Sequence, residues 1–163
     1  MLASAAYSVT STGCLILERK DFDETFVPPS ITTDENAPHQ ISDIIPFNFD
    51  TMTELSFETV IYDSAAATDM EARWTIDGRV VYTGRVVPKN TAGGQARMYS
   101  DTIDQTLFTG ADTFGCHVLT LFVSHKFYGD DTVMTLVPDS GDIASATWYV
   151  ITSDSTHAPE PCQ

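Results

Sequence analysis

Ten consecutive residues, Phe114-Gly115-Cys116-His117-Val118-Leu119-Thr120-Leu121-Phe122-Val123, constrain this chain more than any other stretch. They are rich in β-branched and aromatic side chains and contain no proline, which predicts a central β-strand. Alternation puts His117, Leu119, Leu121 and Val123 on one face and Phe114, Cys116, Val118 and Phe122 on the other. Both faces are mostly apolar, so both are expected to be covered. Such a strand needs partners on either side, and the surrounding sequence supplies them.

Leu55, Phe57, Thr59 and Ile61 alternate with Ser56, Glu58, Val60 and Tyr62, the pattern of a half-buried strand. A second run, Met70 to Ile76, places Ala72, Trp74 and Ile76 on one face. Asp77-Gly78 then marks a tight turn into Arg79–Thr83, which continues after Gly84 as Arg85-Val86-Val87 and stops at Pro88. Met98–Phe108 holds a further strand, with Ile103 and Leu107 equally suited to a helical turn. Ala144–Thr152 is the last strand, carrying Trp148, Val150 and Ile151. Between them, residues 126–143 form a long excursion with a short strand expected at Thr132–Val137. No amphipathic helical period separates these runs. Seven or so short strands with turn signals between them predict an all-β antiparallel sandwich.

The flanks differ in composition. Residues 18–46 combine charges, Pro28-Pro29, Pro38 and Pro46, which predicts an extended tether, with Ile41, Ile44 and Ile45 as a first edge strand ended by Pro46. Residues 1–13 are small and polar and lead to Cys14. Small residues before a single cysteine resemble a bacterial lipoprotein signal, which implies that Cys14 is a lipidation site. The match is partial, because a basic n-region is missing and Ser11 stands where that pattern prefers leucine. A frayed N-terminus with an incidental cysteine is the competing reading. The expected organisation is therefore 1–13 as partial signal, 14–46 as tether, 47–152 as sandwich and 153–163 as a polar tail.

Charge narrows the functional classes. The net charge is −15, and no basic run exceeds Arg19-Lys20. Nucleic-acid binding needs clustered Lys and Arg against phosphate, so it is not expected. Attraction to an anionic bilayer fails for the same reason, which leaves a lipid anchor as the route to a membrane. No apolar run approaches the ~20 residues of a spanning helix.

The cysteines, histidines, serines and acids form no recognisable catalytic or metal motif. Cys14, Cys116 and Cys162 form no C-x-x-C pair. Cys116 and His117 are consecutive on a strand, so they point to opposite faces and make no Cys–His pair. His117 and His125, at ~3.3 Å per strand residue, stand too far apart to share a metal. His117 is expected to be a packed histidine bonded to backbone near the start of its strand. His39 and His157 fall in tether and tail, where no scaffold is expected to hold them. There is no G-x-S-x-G elbow, and the acidic clusters lack calcium-loop spacing. No catalytic residue, cofactor or metal is therefore expected. Trp74 and Trp148 alternate in phase with apolar neighbours and read as core rather than as a carbohydrate platform. Phe127 and Tyr128, beside Gly129, are the candidates for an exposed partner contact.

With these residues in view, Gly115-x-His117-x-Leu119-Thr120-Leu121-x-Val123 resembles the sixth-strand motif of bacterial immunoglobulin-like and PKD-like domains. Trp74 followed by Asp77-Gly78 resembles their third strand, Asp63 the aspartate that closes their second, and Trp148 fits a final strand. The layout of Cys14, proline-rich tether and single sandwich resembles surface lipoproteins of myxobacteria. The second-strand cysteine of antibody domains is missing, and His117 stands where they carry a tyrosine. The resemblance implies an Ig-like sandwich in which the sixth and seventh strands are antiparallel neighbours. Cys116 then lies beside the end of the last strand, within reach of a tail carrying Cys162, and a Cys116–Cys162 disulfide is expected. A buried Cys116 thiol with a free Cys162 is the alternative. The function implied is a non-enzymatic, envelope-anchored or extracellular binding or assembly module with a protein or glycan partner. A carbohydrate-binding accessory module is the alternative, and a hydrolase with an unrecognised site the third.

Overall fold

A computed structural model describes residues 28–64, 69–86, 96–109, 113–125, 127 and 142–162. Among them run eight strands: β1 (Ser30–Thr32), β2 (Ile44–Asn48), β3 (Glu54–Tyr62), β4 (Met70–Ile76), β5 (Arg79–Val86), β6 (Ala96–Asp104), β7 (Gly115–Ser124) and β8 (Ala144–Ser153). A single 3₁₀ turn, Gln105–Leu107, follows β6 and is capped by the Asp104 carboxylate accepting from the Thr106 N–H. The strands form two sheets, ordered β1-β3-β6 and β2-β8-β7-β4-β5. This is the all-β, Ig-like sandwich expected, with β7 in the middle of the larger sheet.

Alternation fixes which face each strand buries. Leu55, Phe57, Thr59 and Ile61 of β3 point inward between solvent-facing Glu54, Ser56, Glu58 and Tyr62. Ala72, Trp74 and Ile76 of β4, Leu119, Leu121 and Val123 of β7, and Ala146, Trp148 and Val150 of β8 meet them from the other sheet. Phe57, Trp74 and Trp148 form the centre, with ring centroids 5.1 to 5.5 Å apart. A fully buried large apolar side chain contributes about 1.5–3 kcal/mol. A single hydrogen bond nets about 0.5–1.5 kcal/mol. The ring cluster therefore outweighs the polar contacts beside it. One of them still links the sheets: the Trp74 indole N–H on β4 donates to Asp101 on β6 at 3.1 Å, and the Tyr99 hydroxyl, on β6 itself, donates to the same carboxylate at 2.7 Å. Burial first, and then the facing Asp101 carboxylate, raise the Tyr99 phenol well above its ordinary range. Neither tryptophan offers a platform, since both are fully buried.

The Asp77–Gly78 turn closes β4 onto β5 with positive φ at both positions, 51° and 78°. That is the turn geometry whose twist matches a hairpin. β5 carries a bulge opposite Trp74 and Thr75.

Five expectations change. The tether does not extend to residue 46: Ser30–Thr32 pairs with β3, and Ile31 and Ile41 pack on the core. Pro46 does not end the first edge strand but sits inside β2. It is tolerated because β2 is an edge, where a missing N–H costs no ladder bond. β2 pairs with β8 in parallel, so the sandwich is not wholly antiparallel. The outer face of β7 is only partly covered, with Cys116 and Val118 exposed. The tail is held rather than loose. The Ser155 N–H donates to Asp50, the His157 ring stacks on Phe114 at 4.1 Å, and Cys162 is bonded to Cys116 across a Cα separation of 5.0 Å. That disulfide was expected, and its partners lie where neighbouring β7 and β8 put them. The strand expected at Thr132–Val137 lies outside the described residues.

Candidate functional site

The ends of β3, β5 and β7 and the starts of β4, β6 and β8 lie at one pole of the sandwich, as their registers require. Four charged side chains meet there. Asp63 follows β3, Arg97 lies at the start of β6, His125 follows β7, and Asp142 precedes β8. The Arg97 guanidinium donates to Asp63 Oδ2 at 2.6 Å, with both side chains almost wholly buried. The same oxygen faces His125 Nε2 at 3.1 Å. On the other side of the ring, Nδ1 lies 2.6 Å from Asp142 Oδ1. Asp142 Oδ2 accepts from the Ser124 hydroxyl at 3.1 Å and from the His125 backbone N–H at 3.2 Å.

A carboxylate can only accept, so both ring nitrogens of His125 must donate for both contacts to be hydrogen bonds. That requires the imidazolium. Burial by itself would lower the His125 pKa. The hydrogen bonds and charges of Asp142 and Asp63 overcome burial and raise it. In that state two cations alternate with two anions, and the buried cluster is charge-balanced.

The arrangement does not prepare a nucleophile. A serine nucleophile needs a base facing its hydroxyl. Here the Ser124 hydroxyl donates to Asp142, and both nitrogens of His125 are committed to carboxylates. The carboxylates also sit on opposite sides of the ring, so they do not converge on one point where a cation would rest. The described residues contain no cluster of three or more His, Cys, Asp or Glu with metal-holding geometry.

At the opposite pole, His117 is buried and its Nδ1–H donates to Asp77 Oδ2 at 2.7 Å. The partner expected was backbone. Asp77 wins because its left-handed turn conformation aims its carboxylate along β7, where Oδ1 also accepts from the Val118 N–H at 2.8 Å. The His117 ring packs edge-on to Phe108.

The remaining sites singled out in the sequence separate cleanly. Cys116 and Cys162 are joined. Phe127 is not an exposed contact but buried, at 6% exposure, with the Arg73 guanidinium 4.5 Å above its ring centroid. The cation–π contact covers the ring. Tyr128 and Cys14 lie outside the described residues. His39 and His157, expected to be unsupported, are ordered against Phe57 and Phe114.

One exposed apolar feature was not foreseen. Ile44, Tyr149 and Val118 stand side by side on β2, β8 and β7, at 59%, 38% and 40% exposure. Directly paired residues share a sheet face, so the three form a continuous row on the outside of the larger sheet. The alternation of Val118 and Tyr149 with buried neighbours carried the signal. Their adjacency depended on register.

No family model matches the chain, and no curated protein does. Among solved structures it is similar to the CARDB domain of the PF1109 protein in complex with di-metal ions from Pyrococcus furiosus. That match has 14% identity and a TM-score of 0.39, and covers 77% of this chain and 93% of that one. It is also similar to the apo-form Calx CBD1 domain, with 10% identity and a TM-score of 0.36, covering 77% and 98%. A third match, entomopoxvirus fusolin, has 14% identity and a TM-score of 0.34, covering 71% and 39%. Likeness at this level assigns neither a family nor a ligand.

Proposed function

We propose that this chain is a non-enzymatic binding or assembly module, displayed in the cell envelope or outside the cell and anchored through a lipidated Cys14. The observation that carries the reading is the exposed row of Ile44, Tyr149 and Val118. Scattered exposed hydrophobes need no explanation, whereas a contiguous row on an otherwise acidic chain fits a contact surface. The Cys116–Cys162 bond supports an oxidising compartment. Tyr128 is retained as a second candidate contact.

The test for binding is a photo-crosslinking side chain placed at Tyr149 in the native host. A second probe at Glu58, on the solvent face of the smaller sheet, serves as control. A protein adduct from position 149 and not from 58 is expected. A polysaccharide adduct would instead favour the carbohydrate-binding alternative, and no adduct at 149 would reject the row as a contact.

The anchor has its own test. Stable anchoring takes more than one acyl chain, each buried CH₂ contributing about 0.8 kcal/mol. Native protein should sediment with membranes, and Cys14→Ser should move it to the soluble fraction. Native material with an unmodified Cys14 would reject the anchor.

A further inference from the structure

We propose that His125 is a pH-operated latch that ties the end of β3 to the end of β7 when its ring carries two protons, and releases β3 when one is lost. The geometry dictates which side lets go. A neutral imidazole has one N–H and one lone pair. Whichever nitrogen loses its proton then presents a lone pair to a carboxylate oxygen, and that contact turns repulsive.

Two features favour release at Asp63. The Nδ1 contact to Asp142 is the shorter, at 2.6 Å against 3.1 Å for Nε2 to Asp63. Asp63 also keeps the Arg97 guanidinium on the same oxygen, so it retains a charged donor after His125 leaves. Asp142 is further tied to the β7 end by the Ser124 hydroxyl and the His125 backbone N–H. The neutral ring therefore keeps Nδ1–H on Asp142 and opens the Nε2 side. Connections 65–68 and 128–141 leave from Asp63-Ser64 and arrive at Asp142, so the latch joins strand ends that carry two of the connections at this pole.

The other charges near the ring do not substitute for this switch. On β4, Glu71 stands opposite Ser124 and Arg85, and Arg85 pairs with Asp69. Arg73 lies on Phe127. Of the described groups at this pole, His125 is the one whose ring bonds a carboxylate on either side, Asp142 and Asp63. The sign follows from the raised His125 pKa. The latch is fully closed below the ordinary histidine value, about 6.5, and opens as pH rises through the higher value that the folded protein imposes.

The test uses the full chain with isotope-labelled histidine, followed by NMR from acid to alkaline pH. His125 should titrate above the ordinary histidine range, and on the alkaline side only Nδ1 should carry a proton. Hydrogen-exchange protection at residues 62–64, corrected for the intrinsic pH dependence of exchange, should fall severalfold across the same transition. Protection in the middle of β7 should stay constant. Asp142→Asn should move the midpoint down while preserving a step, and His125→Gln should remove the step. A midpoint at or below the ordinary value would overturn the proposal. So would protection at residues 62–64 that does not change through the transition, or alkaline protonation at Nε2. All these readouts come from the unmodified protein first, so a variant that fails to fold leaves the test intact.

Discussion

Arg97→Met should lower the stability of the domain by about 3–5 kcal/mol, the cost of removing one partner from a buried ion pair. Methionine keeps most of the packing volume, so the loss isolates the charge. Arg97 and Asp63 expose 3% and none of their side-chain surface. Water cannot replace the lost guanidinium at this buried carboxylate without opening the pole. His125 remains as a donor to Asp63, which sets the expectation toward the lower end when the ring is protonated and toward the upper end at alkaline pH. A domain of this size commonly holds ~5–15 kcal/mol in total, so the effect is large enough to read as a shifted urea midpoint at unchanged slope. A loss below ~1 kcal/mol would mean that the pair is not the buried contact described.

Removing the Cys116–Cys162 bond is the second large change. The cross-link spans a sequence separation of 46 residues. In the chain-entropy model such a loop stabilises by about 4 kcal/mol, acting mainly on the unfolded chain. Replacing both cysteines with alanine should cost somewhat less than that. The Asp50–Ser155 bond and the Phe114–His157 stack continue to hold part of the tail. Comparison of oxidised, reduced and double-alanine protein by denaturant unfolding measures it. If the double-alanine variant matches the oxidised protein, the bond contributes nothing and the tail contacts alone hold residues 153–162.

The strands that could be read from the sequence were those whose pattern is local. Leu55 to Ile61 and Ala72 to Ile76 announce their buried face through alternation, and Asp77-Gly78 announces its turn through the positive φ that glycine accepts freely. β1 was hidden, and β2 cut short at Pro46, for the same reason in reverse. Proline density around them reads as an open chain, yet Ile31 and Ile41 find the core only because sheets formed elsewhere leave room for them. The acid–histidine cluster was less legible still. Asp63, Arg97, His125 and Asp142 are brought together by the β3–β6 and β7–β8 pairings, between strands whose sequence positions say nothing of lateral order. Phe127 reads as exposed in the sequence because it is a loop aromatic close to Gly129. Arg73, on the adjoining strand, lies over the ring, a contact that depends on strand order rather than on local sequence.

The contact between Trp74 and Trp148 has a spectroscopic consequence. These are the only two tryptophans in the chain, and their rings lie 5.5 Å apart with Phe57 against both. Their excited states are close enough to couple, so tryptophan emission reports one location, the seam between the sheets. A melt followed by tryptophan emission is therefore blind to events at either pole. Release of the tail or of His125 passes unseen until the sheets themselves part.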